Sequence, residues 1–445
     1  MFTTDAQTIA DLGVFGKGAQ DSVYKLYNVT RTRGGAQVLE DLFNNPLSSA
    51  DTINTRSGII QYFAEHTISF SFEPELFDSV EQYLIERDER TRLSTGQQSL
   101  GQKISSLVST DTSSKNIRNG VAAAIVLLQK LQSFVNNKEV MGCLAYASER
   151  QAILDLLSHA AFVSILKQPV NNKLLQEQLS AYDAILRFSH YGELAKLLRH
   201  IYYLDVYITV GKVGMEKGFT FPKAINNSTC LLSINGFYHP LLKNAVSNDL
   251  EITPAGNVIF LTGANMAGKS TLMKSFGINM YLAHMGFPLA AKSLSFSVMN
   301  GIYTTINLPD NLGMGISHFY AEVLRLKKIA KELSHSKKLL VIFDELFRGT
   351  NVKDAYEGTI AVTRAFAGKH HAVFMLSTHI TEAGEVLKKD CKNVVFKYLP
   401  TYMNETKPAY TYKLEPGITA DRHGMIIINN ERILDILKEG RVKLL

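Results

Sequence analysis

Eight consecutive residues carry the clearest chemistry in this chain: Gly263-Ala264-Asn265-Met266-Ala267-Gly268-Lys269-Ser270. They match the pattern G-x-x-x-x-G-K-[ST], in which the glycines let the backbone curl until several N–H groups face one point. That curl suits a phosphate chain. Lys269 would set its ammonium on the β- and γ-phosphates, and the hydroxyl of Ser270 would ligate Mg2+. A helix opening at Ser270 and Thr271 would add the partial positive charge of its N-terminus. The competing reading is a glycine-rich turn with a solvated lysine. The apolar run at 258–261 before the loop and the helical spacing after it count against that reading.

A second apolar run, 339–343, delivers Asp344 and Glu345 at its end. The carboxyl ends of strands are where α/β sheets meet their ligands. Asp344 would hold Mg2+, directly or through water, and Glu345 would be the general base that orients an attacking water. Adjacent acids after a strand could instead cap a helix; the phosphate loop favours the catalytic reading. A third run, 372–376, ends in Ser377-Thr378-His379. His379 could hydrogen-bond the γ-phosphate or the lytic water, although a lone histidine in such a place is more often structural.

Elements of two kinds must position these groups. After Gly218 the runs 258–261, 339–343, 372–376 and 394–398 read as strands, mostly continuous in apolar character, as expected when both faces are covered. Helical stretches at 271–284, 317–333 and 355–366 separate the first three, which predicts an α/β domain with a mainly parallel sheet. Residues 21–217 read as helical, with prolines at positions 46, 74 and 169 alone. Leu174, Leu175, Leu179, Tyr182, Ile185 and Leu186 recur at helical spacing, and Leu194, Leu197, Leu198 and Ile201 continue the stripe. Packed long helices are the simplest architecture for it. The polar stretch 109–118 is expected to be a loop, and residues 1–15 a peripheral turn or tail. The expected domains are therefore 1–220, helical, and 221–445, an ATPase.

Composition narrows the class. Of 445 residues, 46% are hydrophobic and 20% charged, enough for large cores. Cys143, Cys230 and Cys391 are odd in number and far apart, which fits neither a disulfide framework nor a metal cluster and points to a reducing, cytoplasmic setting. The first residues lack the charged and apolar regions of a signal peptide. The best membrane candidate, 275–291, is uncharged but broken by Asn279, His284, Gly286 and Pro288. Net charge is +6, divided as −2 over residues 1–220 and +8 over 221–445. A basic surplus could attract nucleotides or phosphate backbones, although ordinary soluble domains scatter as widely.

Together these segments resemble the MutS family of DNA mismatch-repair proteins. The family's phosphate loop reads T-G-x-N-M-x-G-K-S-T, and here the residues run from Thr262 to Thr271 with Asn265 and Met266 in place. Its D-E-x-G-R-G-T motif is Asp344-Glu345-Leu346-Phe347-Arg348-Gly349-Thr350, and its A-T-H is Ser377-Thr378-His379. His239-Pro240-Leu241-Leu242 and Asn248-Asp249-Leu250 also fit. The resemblance implies a helical core/lever domain followed by an ABC-type P-loop ATPase domain. It implies ATP bound by Gly263, Asn265, Met266, Gly268, Lys269, Ser270 and Thr271. Mg2+ would sit on Ser270 and Asp344, with Glu345, His379 and Lys269 serving hydrolysis. A family loop reading D-D-x-x-x-G-x-S-T-F corresponds to residues 310–319, where Ser317 would reach the γ-phosphate of the opposite subunit. That implies a homodimer with composite ATP sites; taken alone, Ser317 is a good helix N-cap. Residues 415–418 and 423–424 resemble the family's C-terminal dimerising region, and 26–46 and 56–65 its core and lever.

Some positions depart from the family. Phe347 stands where a glycine is usual, His318 where a threonine is, and Ala245 where full-length members place an aromatic residue against adenine. Phe63-Ala64-Glu65 spells the mismatch-reading Phe-x-Glu motif, but within the core match, and is read as coincidence. Nothing here corresponds to the mismatch-reading domain. The expected function is a dimeric ATPase that couples hydrolysis to branched, looped or non-specific DNA, without a membrane and with repair proteins as possible partners. The alternative is an ATP-switched protein-interaction module that does not grip DNA.

Overall fold

A computed structural model describes residues 2–16, 21–88, 91–93, 110–169, 174–227, 229–307, 318–404, 407–419 and 433–439. The strands are β1 (Lys223–Ile225), β2 (Leu232–Phe237), β3 (Asn248–Ile252), β4 (Val258–Gly263), β5 (Ser293–Ser297), β6 (Gly301–Thr305), β7 (Leu339–Asp344), β8 (Val373–Ser377), β9 (Val394–Leu399), β10 (Thr401–Asn404), β11 (Lys407–Tyr410) and β12 (Glu415–Pro416). Six form one sheet in the order β12-β9-β4-β8-β7-β6, parallel except for β12. Four form a second sheet, β1-β5-β2-β3, and β10 and β11 a hairpin. The chain divides into two compact units: Met1–Leu26, Phe43–Ser57 and Glu216–Leu445 make one, and Tyr27–Leu42 with Gly58–Met215 the other.

In the first unit the central strands β4, β8 and β7 and the edge strand β6 are buried along almost their whole length, whereas β9 is half-buried and β12 partly exposed. Side chains alternate along each strand, so Val258, Phe260, Val341, Phe343, Phe374 and Leu376 share one face. The helices Val352–Ala367 and Thr381–Asp390 pack there. Phe366 stacks on Phe374 at 4.3 Å and lies 6.1 Å from Phe343, both nearly parallel. Helix Lys269–Met285 lies against the second sheet, with Phe276 6.0 Å from Phe237. It also meets the main sheet's other face, where a Cβ on Gly277 would lie 3.4 Å from Ile342. A helix covered all round must be apolar all round. Hence the uncharged 275–291 stretch belongs to a core, and no helix among the described residues is long and apolar enough to cross a membrane.

Residues 2–15 do not form the peripheral tail expected of them. Thr3 pairs with Gly301 beyond the edge of β6, and helix Ala6–Asp11 follows. Phe2, Leu12 and Val14 are buried. Weak local patterning misled because this segment's partners lie some three hundred residues away, where no local period reports them.

The second unit is helical, with Pro74–Ile85, Thr110–Val135, Ala147–Leu157 and Tyr191–Lys217 its main members. The expected loop at 109–118 is instead helix from Thr110 onward. Polar residues disfavour helix interiors only mildly, and tertiary packing decides. Gly120 faces Tyr83 so closely that a Cβ there would lie 2.1 Å from the tyrosine's own. Buried acids here have hydrogen-bond partners. Asp183 and Arg187, both wholly buried, are joined at 2.5 and 2.7 Å, and Tyr83 donates to Asp183 at 2.9 Å. Burial pushes the Asp205 carboxyl up; the amides of Arg31 and Thr32 and the Thr32 hydroxyl oppose this by donating to it. Phe63 is core, 5.4 Å from Tyr146 and edge-on to Phe134, so the Phe-x-Glu triplet is packing.

Phe366→Ala should open a cavity in the aromatic stack under the main sheet and cost about 3–5 kcal/mol. The loss should appear in chemical denaturation as a lower midpoint.

Candidate nucleotide site

The sheet's topology assembles the site. β4 ends in Gly263, whose φ of 151° carries the chain into the loop, and a Cβ there would lie 3.1 Å from the Leu399 carbonyl oxygen. Gly268, at φ 98°, turns the loop into helix Lys269–Met285. Lys269 is buried, and its Nζ donates to the carbonyls of Gly263 at 2.9 Å and Ala264 at 3.2 Å. Burial pushes this ammonium below its ordinary pKa, while Asp344 and Glu345 pull it back. Asn265, Met266, Ser270 and Thr271 are exposed along the loop and the first helical turn.

β8 separates β4 from β7, yet the ends of all three converge. The hydroxyl of Ser270 donates to one oxygen of Asp344, and the hydroxyl of Ser377, at the end of β8, donates to the other. Ser377 was not singled out from sequence; its place at the end of a buried strand was the available signal. A hydroxyl and a carboxylate oxygen in contact suit a hard divalent cation. Mg2+ takes one or two protein oxygens and completes its octahedron with phosphate and water. Among the described residues no cluster of three or more His, Cys, Asp and Glu side chains could hold a metal, and such a site needs none.

Glu345 follows with φ 55° and is held by its own N–H, which donates to the Ser377 carbonyl at 3.1 Å. Nε2 of His379 lies 2.6 Å from the Glu345 carboxylate, and Nε of Arg348 lies 3.4 Å from its other oxygen. The hydrogen bond from His379 lowers the Glu345 pKa; burial opposes it, and the charges of His379, Arg348 and Lys269 add to the lowering. The carboxylate is thereby kept in its basic form. Phe347 also has a left-handed φ, 66°, which β-carbons resist. The glycine usual in the resembling family would adopt it freely. Here packing compensates: Phe347 is buried, 5.9 Å from Phe319, and closes over Gly358.

A cavity of about 290 Å³ opens beside the loop, lined by Phe237, His239, Ala245, Thr271, Leu272 and Tyr412 among others. Tyr412 forms the aromatic wall nearest the loop, and its ring would lie 2.9 Å from a Cβ on Gly268. Asn248 fixes that segment, donating to the Tyr412 carbonyl at 3.0 Å and accepting from the Leu414 N–H at 2.7 Å. Sequence reading marked Asn248 but missed Tyr412. Ser317 and residues 420–432 lie outside the described residues.

Residues 259–440 match the family model for MutS domain V. Over those residues the chain therefore carries a MutS domain V. Its domain V is an ABC-type ATPase domain, which accounts for the phosphate loop and its strand-end acids. The chain is 28% identical over 268 residues to the DNA mismatch repair protein MutS of Fusobacterium nucleatum, covering 56% of this chain and 29% of that one. It is 28% identical over 292 residues to the MutS of Aquifex pyrophilus, covering 65% and 30%. A DNA mismatch repair protein MSH3 of Candida glabrata is 27% identical over 267 residues, covering 57% and 26%. The match thus spans less than a third of each of these MutS-family relatives.

His379→Ala should raise the pKa of Glu345. Because the wild-type value is lowered, the acid limb of the pH–kcat profile should lie below the ordinary glutamate pKa of roughly 4.3 and move up towards it in the variant. An unmoved limb would disconnect the two side chains.

Proposed function

We propose that this chain hydrolyses ATP with Mg2+, works as a homodimer with composite sites, and couples hydrolysis to DNA binding. One observation carries the enzymatic part: Ser270 and Asp344 touch at the mouth of the phosphate loop, beside a Glu345 held by His379. The loop amides and Lys269 would hold the phosphates, Lys269 exchanging its carbonyl partners for phosphate oxygens. Mg2+ on Ser270 and Asp344 would neutralise charge on the phosphate oxygens. Glu345 would take a proton from the attacking water as its oxygen bonds to the γ-phosphorus and the bond to the ADP oxygen breaks. His379 would hold Glu345 in register. Tyr412 would stack on the base, supplying the aromatic face that Ala245 lacks. Ser317, by resemblance, would complete the partner's site.

Coupling to DNA is supported by the relatives' names as DNA mismatch repair proteins and by the +8 balance of residues 221–445. The −2 balance of residues 1–220 favours the second reading, an ATP-switched module that binds protein instead. Binding to duplex, junction and single-stranded DNA at several salt concentrations separates the two.

Lys269→Ala should abolish turnover, and Glu345→Gln should bind ATP yet lose about a hundredfold or more in kcat. Wild-type turnover by Glu345→Gln beside a dead Lys269→Ala would assign the base elsewhere. Tyr412→Ala should weaken ATP binding about tenfold, read by titration with a non-hydrolysable analogue.

A further inference from the structure

We propose that residues 2–14 form a strap whose two carboxylates, Asp5 and Asp11, position the rim of the nucleotide site and so set the rate of hydrolysis rather than the affinity for ATP. Each carboxylate holds a different part of that rim. Asp11 is buried, and its carboxylate accepts from the Thr304 hydroxyl at 2.8 Å and from the N–H groups of Ile306 at 2.9 Å and Asn307 at 3.0 Å. These residues are the end of β6 and the chain leaving it. Gln7 donates to Asp11 and to the Asn307 carbonyl, both at 2.9 Å. Thr8, wholly buried, accepts from the Thr304 N–H at 3.0 Å.

Asp5 holds the second part. It pairs with Arg325, which is buried, and with Lys328 at 2.8 Å, both on helix His318–Ser334. Arg325 donates in turn to the Thr304 carbonyl at 2.7 Å and the Thr305 hydroxyl at 3.3 Å. The helix and the strand end are therefore joined through the strap. Burial raises the Asp5 pKa, but the hydrogen bonds and charge of Arg325 and Lys328 outweigh it and keep the carboxyl ionised well below the usual range.

Both parts border the chemistry. Thr305 is in register with Phe343, the residue before Asp344. With the Asn307 amide turned to satisfy its neighbours, its oxygen accepts from Lys274 at 2.9 Å, on the helix that follows the phosphate loop. Phe319 packs on Phe347, two residues beyond Glu345. By contrast, among the described residues neither Asp5 nor Asp11 makes a hydrogen bond or ion pair to residues 263–271, so these carboxylates bear on the catalytic rim and not on the phosphate cradle. Displacing catalytic groups by about an ångström can cost up to a hundredfold in rate with little effect on binding.

The inference rests on the ATPase reading above, and its test separates the two. The full chain would carry Asp11→Asn, Asp11→Glu, Gln7→Ala or Lys328→Ala. Folded sites would be counted by titration with a non-hydrolysable ATP analogue, and kcat and KM measured per site. Asp11→Asn should lower kcat about tenfold with KM within twofold. Asp11→Glu should recover part of the rate, and the two milder variants should lower kcat in the same direction. Should Asp11→Asn fail to fold, Gln7→Ala and Lys328→Ala decide. Unchanged kcat per folded site with only a lower melting temperature would overturn the strap's role. A wild-type chain that binds and hydrolyses no ATP would instead defeat the ATPase reading.

Discussion

Everything at the nucleotide site depends on bringing a serine hydroxyl and an aspartate carboxylate together across a strand that separates their own. Ser270 follows β4, Asp344 ends β7, and β8 runs between them. Only a parallel sheet, whose carboxyl ends point the same way, lets three strands deliver polar groups to one edge. Ser377 at the end of β8 fills the gap, donating to the carboxylate oxygen that Ser270 leaves free. The apolar body of each strand serves this edge. Alternate side chains lock into helices on the two faces, so the strands cannot slip in register without turning a core face outward.

The edge also concentrates strain and charge. Met266, Glu345 and Phe347 all have left-handed φ values without being glycine. Each such residue costs on the order of 1–3 kcal/mol and persists only where its surroundings compensate. For Phe347 the compensation is packing on Phe319; for Glu345 it is a ladder-like hydrogen bond to the Ser377 carbonyl and a hydrogen bond with His379. Lys269, buried between loop carbonyls and two acids, is a cation poised to trade weak partners for phosphate oxygens. A departure from the family pattern at position 347 is thus absorbed by packing and leaves the donor set intact.

Much of this was legible in the residues. Continuous apolar runs marked β4, β7 and β8, because strands buried on both faces need no alternation; β9, half-buried, was marked by its apolar run as well. Glycine spacing marked the phosphate loop, because only a few residue types permit its curl. β6, Gly-Ile-Tyr-Thr-Thr, was missed: three of its five residues are glycine or threonine, and it is held by neighbours rather than by its own pattern. The first fifteen residues were misread for the same reason, since Asp5 meets Arg325 and Asp11 meets Asn307 only in the folded chain. Tyr412 was invisible because nothing in its neighbourhood says that it folds back over Gly268. Periodicity reports burial; it does not report which distant backbone a side chain will meet.

The central claim is that one divalent cation is shared by Ser270, Asp344 and a polyphosphate. Its most direct test is calorimetric titration of the full chain with a non-hydrolysable ATP analogue, with and without Mg2+, in wild type and Asp344→Asn. The account predicts that Mg2+ tightens binding in the wild type and that this dependence largely disappears in the variant. An equal Mg2+ dependence in both would contradict it.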